Sequence, residues 1–331
     1  MRAPLAAVVP LFLPLIASFP VLANDSSAEL SVGGLVLARS NDVALQSEHL
    51  TISPDAISVR YQFVNETERP VTLTVAFVLP DIDLSLEDIY SIPYSDGVNL
   101  LEFQTKVAGK LVNFTTHQRA FLGDKDVSDS LRSVGLAVLP VGAEHNPISD
   151  LPETKRSQLV QQGLLLENGS DDLGRPRYEP AWTIKTAALR TQTFEPKRPV
   201  VVEHSYRPGL GRSLDTVLRK ALRQDTATAP QVNRYRKDYC IGDEFLAKVD
   251  KLAESAASKL QEQRISYVLK TGANWAGPIK NFKLTVDKRN PNRLVSFCAD
   301  HIKVISPTVV EFTASDFTPD KDLKILILGR F

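Results

Sequence analysis

Five histidines, two cysteines and two acidic clusters are the side chains of this chain most suited to chemistry, and their spacing limits what that chemistry can be. His49, His117, His145, His204 and His301 are dispersed, with neither His-x-His nor His-x-x-x-His spacing, so no local pair of imidazole ligands is encoded. His204 is the most suggestive of them, because Glu203 precedes it and Tyr206 follows on the same strand face. With a carboxylate from another strand it could do acid–base work on an envelope polymer, as a hydrolase requires. Its even-numbered neighbours Val200 and Val202 are apolar, which favours a core or rim histidine held by hydrogen bonds. No Gly-x-Ser-x-Gly elbow occurs, so the usual trace of a serine nucleophile is missing.

The acidic clusters could hold a cation. Asp81, Asp83, Glu87 and Asp88 form the first, and Asp316, Asp320 and Asp322 the second. Neither has the Asp-x-Asp-x-Asp-Gly spacing of a calcium loop, so both read more naturally as turn caps, with the second the weak candidate for a metal-ion module. Pro208-Gly209-Leu210-Gly211-Arg212-Ser213 looks like a phosphate-cradling turn before a helix. It lacks the third glycine of a dinucleotide fingerprint and the Gly-Lys-Ser of a P-loop, and reads as a flexible connector. No cofactor is called for. Trp182 and Trp275 could stack on sugar rings in a glycan-binding module, but isolated tryptophans at strand starts more often pack in cores.

The elements that must position these residues are mostly strands. Ile57, Val59, Tyr61 and Phe63 alternate with Ser58, Arg60 and Gln62, and after the polar turn 65–70 the positions Val71, Leu73, Val75, Phe77 and Leu79 repeat the pattern. A further hairpin turns at Ala108-Gly109-Lys110. Between Gly123 and about Tyr178 the alternation fades, and 127–138 and 152–167 read as helices inserted in the sandwich. Extended segments resume at 182–194 and 199–206. Residues 208–236 form a connector. From 237 to 331, a helix with Phe245, Val249, Leu252, Ala256 and Leu260 on one stripe precedes further strands. The expected fold is therefore mainly β (α+β): an antiparallel β-sandwich at 24–207 with a helical insertion, then a smaller β domain with one packed helix.

Residues 1–23 read as an export signal. Arg2 is followed by the apolar run Leu5 to Ala17, and Val21-Leu22-Ala23 offers small residues for cleavage before Asn24. The run is short and broken by Pro10 and Pro14, whereas a membrane span needs roughly twenty apolar residues. No second run approaches that length, so no membrane span is expected after cleavage. In an oxidising periplasmic or extracellular compartment Cys240 and Cys298 are expected to form a disulfide, worth about 4 kcal/mol in the chain-entropy picture. Lys and Arg together number 39, as do Asp and Glu, so no net field attracts nucleic acid.

Several blocks carry a family likeness. The segment Asn24 to Leu30 with Gly33-Gly34-Leu35, the block Phe194 to Pro208, the block Tyr267 to Val286 with Thr271-Gly272-Ala273-Asn274-Trp275, and Phe312 to Leu328 with Asp316-Phe317-Thr318-Pro319 resemble a bacterial exported family of unknown function, DUF 4424. Cys240 and Cys298 fall where that family carries its two cysteines. The resemblance implies an envelope or secreted protein and brings no catalytic residue, cofactor or substrate with it. By exclusion, the expected role is non-enzymatic binding or scaffolding, with an envelope protein or a glycan as partner; a hydrolase centred on His204 or a glycan or metal-ion module are the alternatives.

Overall fold

The period-two strands pair as their alternation dictates. In the computed structural model, which describes residues 26–31, 34–85, 99, 101–140, 147–170, 174–254 and 259–331, Ile57, Val59, Tyr61 and Phe63 are buried while Ser58 and Arg60 face solvent. The export signal, His145, Glu87 and Asp88 lie outside the described residues.

Among those residues, two large sheets face each other. One has eight strands, in the order Lys303–Val304, Val309–Phe317, Ile279–Asp287, Val43–Ile52, Ile57–Asn65, Pro199–Tyr206, Gln104–Val107 and Lys110–Leu111. The other has seven, with Thr183–Phe194 paired antiparallel to Val71–Val78 on one side and to Thr115–Leu122 on the other. A smaller sheet of four strands, Gly211–Ser213, Gln261–Tyr267, Leu323–Gly329 and Leu294–Ser296, carries the helix Asp243–Glu254 against it. The protein is thus mainly β, a sandwich with a smaller β unit and a packed helix.

The two expected segments are stitched together more closely than a connector implies. Strand Ile279–Asp287, from the carboxy-terminal part, lies parallel to Val43–Ile52, so the large sheet is assembled from both ends of the chain. One continuous apolar core includes Phe63 and Val75 of the sandwich together with Ile265, Ile325 and Ile327 of the smaller sheet. Polar groups bridge the seam as well: Tyr61 Oη lies 3.0 Å from Tyr267 Oη, and Tyr267 Oη donates to Glu48 Oε1 at 3.4 Å.

The stretch 123–178 holds two short helices, Ser128–Ser133 and Glu153–Gln161, and then the start of a hairpin, Leu165–Ser170 with Pro176–Pro180, so it is less helical than its sequence predicts. Each helix ends at a glycine in the left-handed region, Gly135 (φ 82°) and Gly163 (φ 70°). The amides that follow turn back onto the last helical carbonyls, Leu136 N to Leu131 O at 3.0 Å and Leu164 N to Leu159 O at 2.8 Å, which is how a glycine stops a helix. Leu131, Leu159 and Leu164 belong to the main core, so this stretch is an integral wall of the sandwich.

Candidate functional site

Of the residues singled out in the sequence, the two cysteines meet and His204 and Tyr206 share one aromatic cluster, but the histidine, the tryptophans and the acidic residues do not converge on one site. His204 sits on the inner face of Pro199–Tyr206, 3% exposed, with its ring centroid 4.7 Å from Phe77, 5.1 Å from Phe103 and 5.7 Å from Tyr61. Successive side chains of a strand point to opposite faces, and Glu203 accordingly lies outside, 3.7 Å from Arg60. The Glu203–His204 pairing that a hydrolase would use is therefore broken by strand geometry. Tyr206 is buried against Phe77 and Phe103, and burial pushes its phenol far above the usual range.

Neither tryptophan is a sugar platform. Trp182 is fully buried and its indole N–H donates to Val138 O at 2.8 Å. Trp275 is 3% exposed, with its ring 4.6 Å from Phe63 and 6.2 Å from Phe194. The aspartates of the second acidic cluster serve separate purposes: Asp316 accepts from Lys280 Nζ at 2.7 Å, and Asp322 Oδ1 accepts the backbone N–H groups of Leu269 and Lys270. Among the described residues no three His, Cys, Asp or Glu side chains are grouped to hold a metal ion. Cys240 and Cys298 are joined in a disulfide with Cα atoms 5.0 Å apart.

A concave feature of the described residues lies elsewhere, where the smaller sheet and the helix Ala229–Asp238 meet the sandwich. A cleft of about 730 Å³ opens there, bounded by the 80–82 loop, the 208–214 turn, that helix and the strand Gln261–Tyr267. The volume is that of a site for a small organic molecule. The turn read as a flexible connector thus forms one side of it.

Its polar apparatus is built on alternation. On Gln261–Tyr267 the side chains of Glu262, Arg264 and Ser266 share a face, and Gly211 is the cross-strand partner of Arg264. A Cβ at position 211 would lie 3.2 Å from Arg264 Nε and 3.3 Å from Nη2, so the glycine leaves room for the guanidinium to lie across the neighbouring strand. Arg264 Nη1 donates to Glu262 Oε2 (2.7 Å), Ser213 Oγ (2.7 Å) and Tyr235 Oη (3.2 Å), and Tyr235 Oη donates to the same carboxylate oxygen at 2.9 Å. Glu262 is 1% exposed at its side chain and Arg264 13%. A charge pair this dry is an expensive way to gain stability, but it fixes a guanidinium rigidly at a cavity wall. Burial first, and then the Glu262 charge, push the Tyr235 phenol well above its ordinary value, so it remains a neutral donor. At the opposite side Asp81 is raised by burial, with Lys185 at 3.9 Å opposing the shift.

The sequence carried one trace of this arrangement. Glu262 and Arg264 stand two apart in a strand whose other face holds Ile265 and Tyr267, and a buried acid–base pair at that spacing marks a polar face turned inward. The partners Ser213 and Tyr235 come from other elements and leave no local trace.

The family described as Domain of unknown function (DUF4424) matches residues 23–326. The chain belongs to the DUF4424 family. The match takes in every element that lines the cleft, and it also takes in both cysteines. No curated protein matches this DUF4424 chain. Among solved structures, a candidate nutrient-binding protein of Legionella pneumophila is 16% identical, with 92% of this chain and 72% of that one aligned at a TM-score of 0.43. An M1 zinc metallopeptidase of Deinococcus radiodurans is 9% identical, with 88% of this chain and 43% of that one aligned at 0.24. Likenesses this weak transfer neither a fold nor an activity.

Proposed function

We propose that this DUF4424 protein is a non-enzymatic ligand-binding module of the cell envelope, and that its site is the cleft between the smaller sheet and the sandwich. The observation that carries this reading is the fixed Arg264 group, buried against Glu262, Ser213 and Tyr235 at the wall of a cleft large enough for a small organic molecule. Fixed polar groups in a concave surface give orientation and specificity to a bound ligand. Binding is favoured over hydrolysis because the histidine suited to acid–base work is ringed by Tyr61, Phe77 and Phe103 and turned away from Glu203.

An exported destination would fit the same reading. The leader at 1–23 would deliver the chain, beginning at Asn24, to a periplasmic or extracellular compartment, where the Cys240–Cys298 bond can form and persist. No described helix is long and apolar enough to cross a membrane.

Native mass spectrometry of the protein recovered from its own envelope tests the reading, alongside Ser266→Trp, which places an indole into the cleft from an exposed position. A small molecule carried by the unaltered protein and absent from the variant is the expected outcome. No added ligand mass on the unaltered protein, or a ligand retained by the variant, would rule the cleft out.

A further inference from the structure

Four cationic side chains and two carboxylates line the cleft, and the ion pairs do not consume them evenly. Arg264 is held by Glu262, Lys324 Nζ by Asp238 at 2.8 Å, and Asp81 faces Lys185. Arg212 and Arg234 are left over: both are exposed, both line the cleft, and neither has a carboxylate partner among the described residues. They come from different elements, the strand Gly211–Ser213 and the helix Ala229–Asp238, and the strand carrying Arg264 pairs with the first of these. The uncharged lining mixes polar side chains, Ser213, Gln231 and Ser266, with apolar and aromatic ones, including Leu101, Leu214, Tyr235 and Tyr239, and Leu214 is 64% exposed.

Resting on the reading that the cleft is a binding site, we propose that its ligand is a small organic anion, with a carboxylate or phosphate head taken by Arg212 and Arg234 and an apolar body laid against Tyr235, Tyr239 and Leu214. A guanidinium presents a planar fork of donors that matches the oxygens of either head group, and two such forks from separate elements define a direction as well as a charge. The buried Arg264–Glu262 pair is internally neutralised, so it shapes the site while the two outer arginines supply the unbalanced charge. The aromatic wall gives the site reason to prefer a ligand with an apolar portion over a bare inorganic ion.

Benzoate, phenyl phosphate and the uncharged near-isostere benzamide are suitable probes, titrated by ligand-observed NMR against the unaltered protein, the double variant Arg212→Gln/Arg234→Gln and the blocked variant Ser266→Trp. All three altered positions are exposed or half-buried, so the variants should fold, which a thermal unfolding scan verifies. The expected result is that both anions bind about tenfold or more tightly than benzamide, that the preference disappears in the double variant, and that rising salt weakens it. Benzamide binding as well as benzoate, with both lost in Ser266→Trp, would overturn the anion inference and leave the cleft as a binding site. If no probe shows binding sensitive to Ser266→Trp, the inference falls and the reading of the cleft falls with it.

Discussion

Truncating His204 to alanine removes a ring from among Tyr61, Phe77 and Phe103 and is expected to cost about 2 to 4 kcal/mol, the usual penalty for emptying a core position, while leaving ligand binding unchanged. Denaturant unfolding combined with a binding titration checks this, and lost binding in a fully folded variant would return His204 to the list of functional residues. Asp81 gives a pH-dependent counterpart. Burial raises its carboxyl above the ordinary 3.8, so the folded state holds the proton more tightly than the unfolded one. The stability linked to that proton is complete below 3.8 and is lost as pH rises through the folded value. Replacing Asp81 by Asn should therefore raise the melting temperature at neutral pH, with the gain vanishing as the pH falls towards 3.8. At this scale the sequence was informative about burial and silent about assembly. The apolar neighbours of His204 announced its core position, whereas Arg264 acquires its role from Ser213 and Tyr235, which no spacing along the chain connects to it.

The helix Ala229–Asp238 is the element on which the site most depends, since it supplies Arg234, Tyr235 and Tyr239's approach, and its end is tied by Cys240 to Cys298 beyond the strand Leu294–Ser296. Changing both cysteines to serine is expected to lower stability by about 2 to 4 kcal/mol and to weaken ligand binding as that wall loosens. Calorimetry and titration of the double variant would show it, and unchanged binding in a destabilised protein would mean that the helix is held by packing alone. The strands of the sandwich were legible because half-buried strands must alternate, as Ile57–Asn65 does. The parallel pairing of Ile279–Asp287 with Val43–Ile52 was not, because alternation specifies a buried face and says nothing of the neighbour. Helix ends were misjudged where Gly135 and Gly163 act as stops, a role that depends on positive φ and not on hydrophobic period.

For the whole molecule, the shared core predicts that the two segments unfold together. Calorimetry should give a single cooperative transition, because Ile265, Ile325 and Ile327 pack in the same cluster as Phe63 and Val75. Deleting 123–178 should likewise unfold the protein or shift tryptophan fluorescence to longer wavelength, since this stretch supplies Leu131, Leu159 and the carbonyl of Val138 that receives the Trp182 indole. The break in strand pattern reads as a helical insertion, and its leucines Leu131, Leu159 and Leu164 pack into the main core. The cleft is the product of this larger arrangement, arising only where the small sheet meets the sandwich. Hydrogen exchange of the protein isolated from its own envelope, compared with the same protein after unfolding, dialysis and refolding, tests that assignment most directly. Slow exchange at Gly211–Ser213 and Ala229–Asp238 that is lost on stripping is the predicted result; unchanged exchange there, or protection lost from another face, would contradict it.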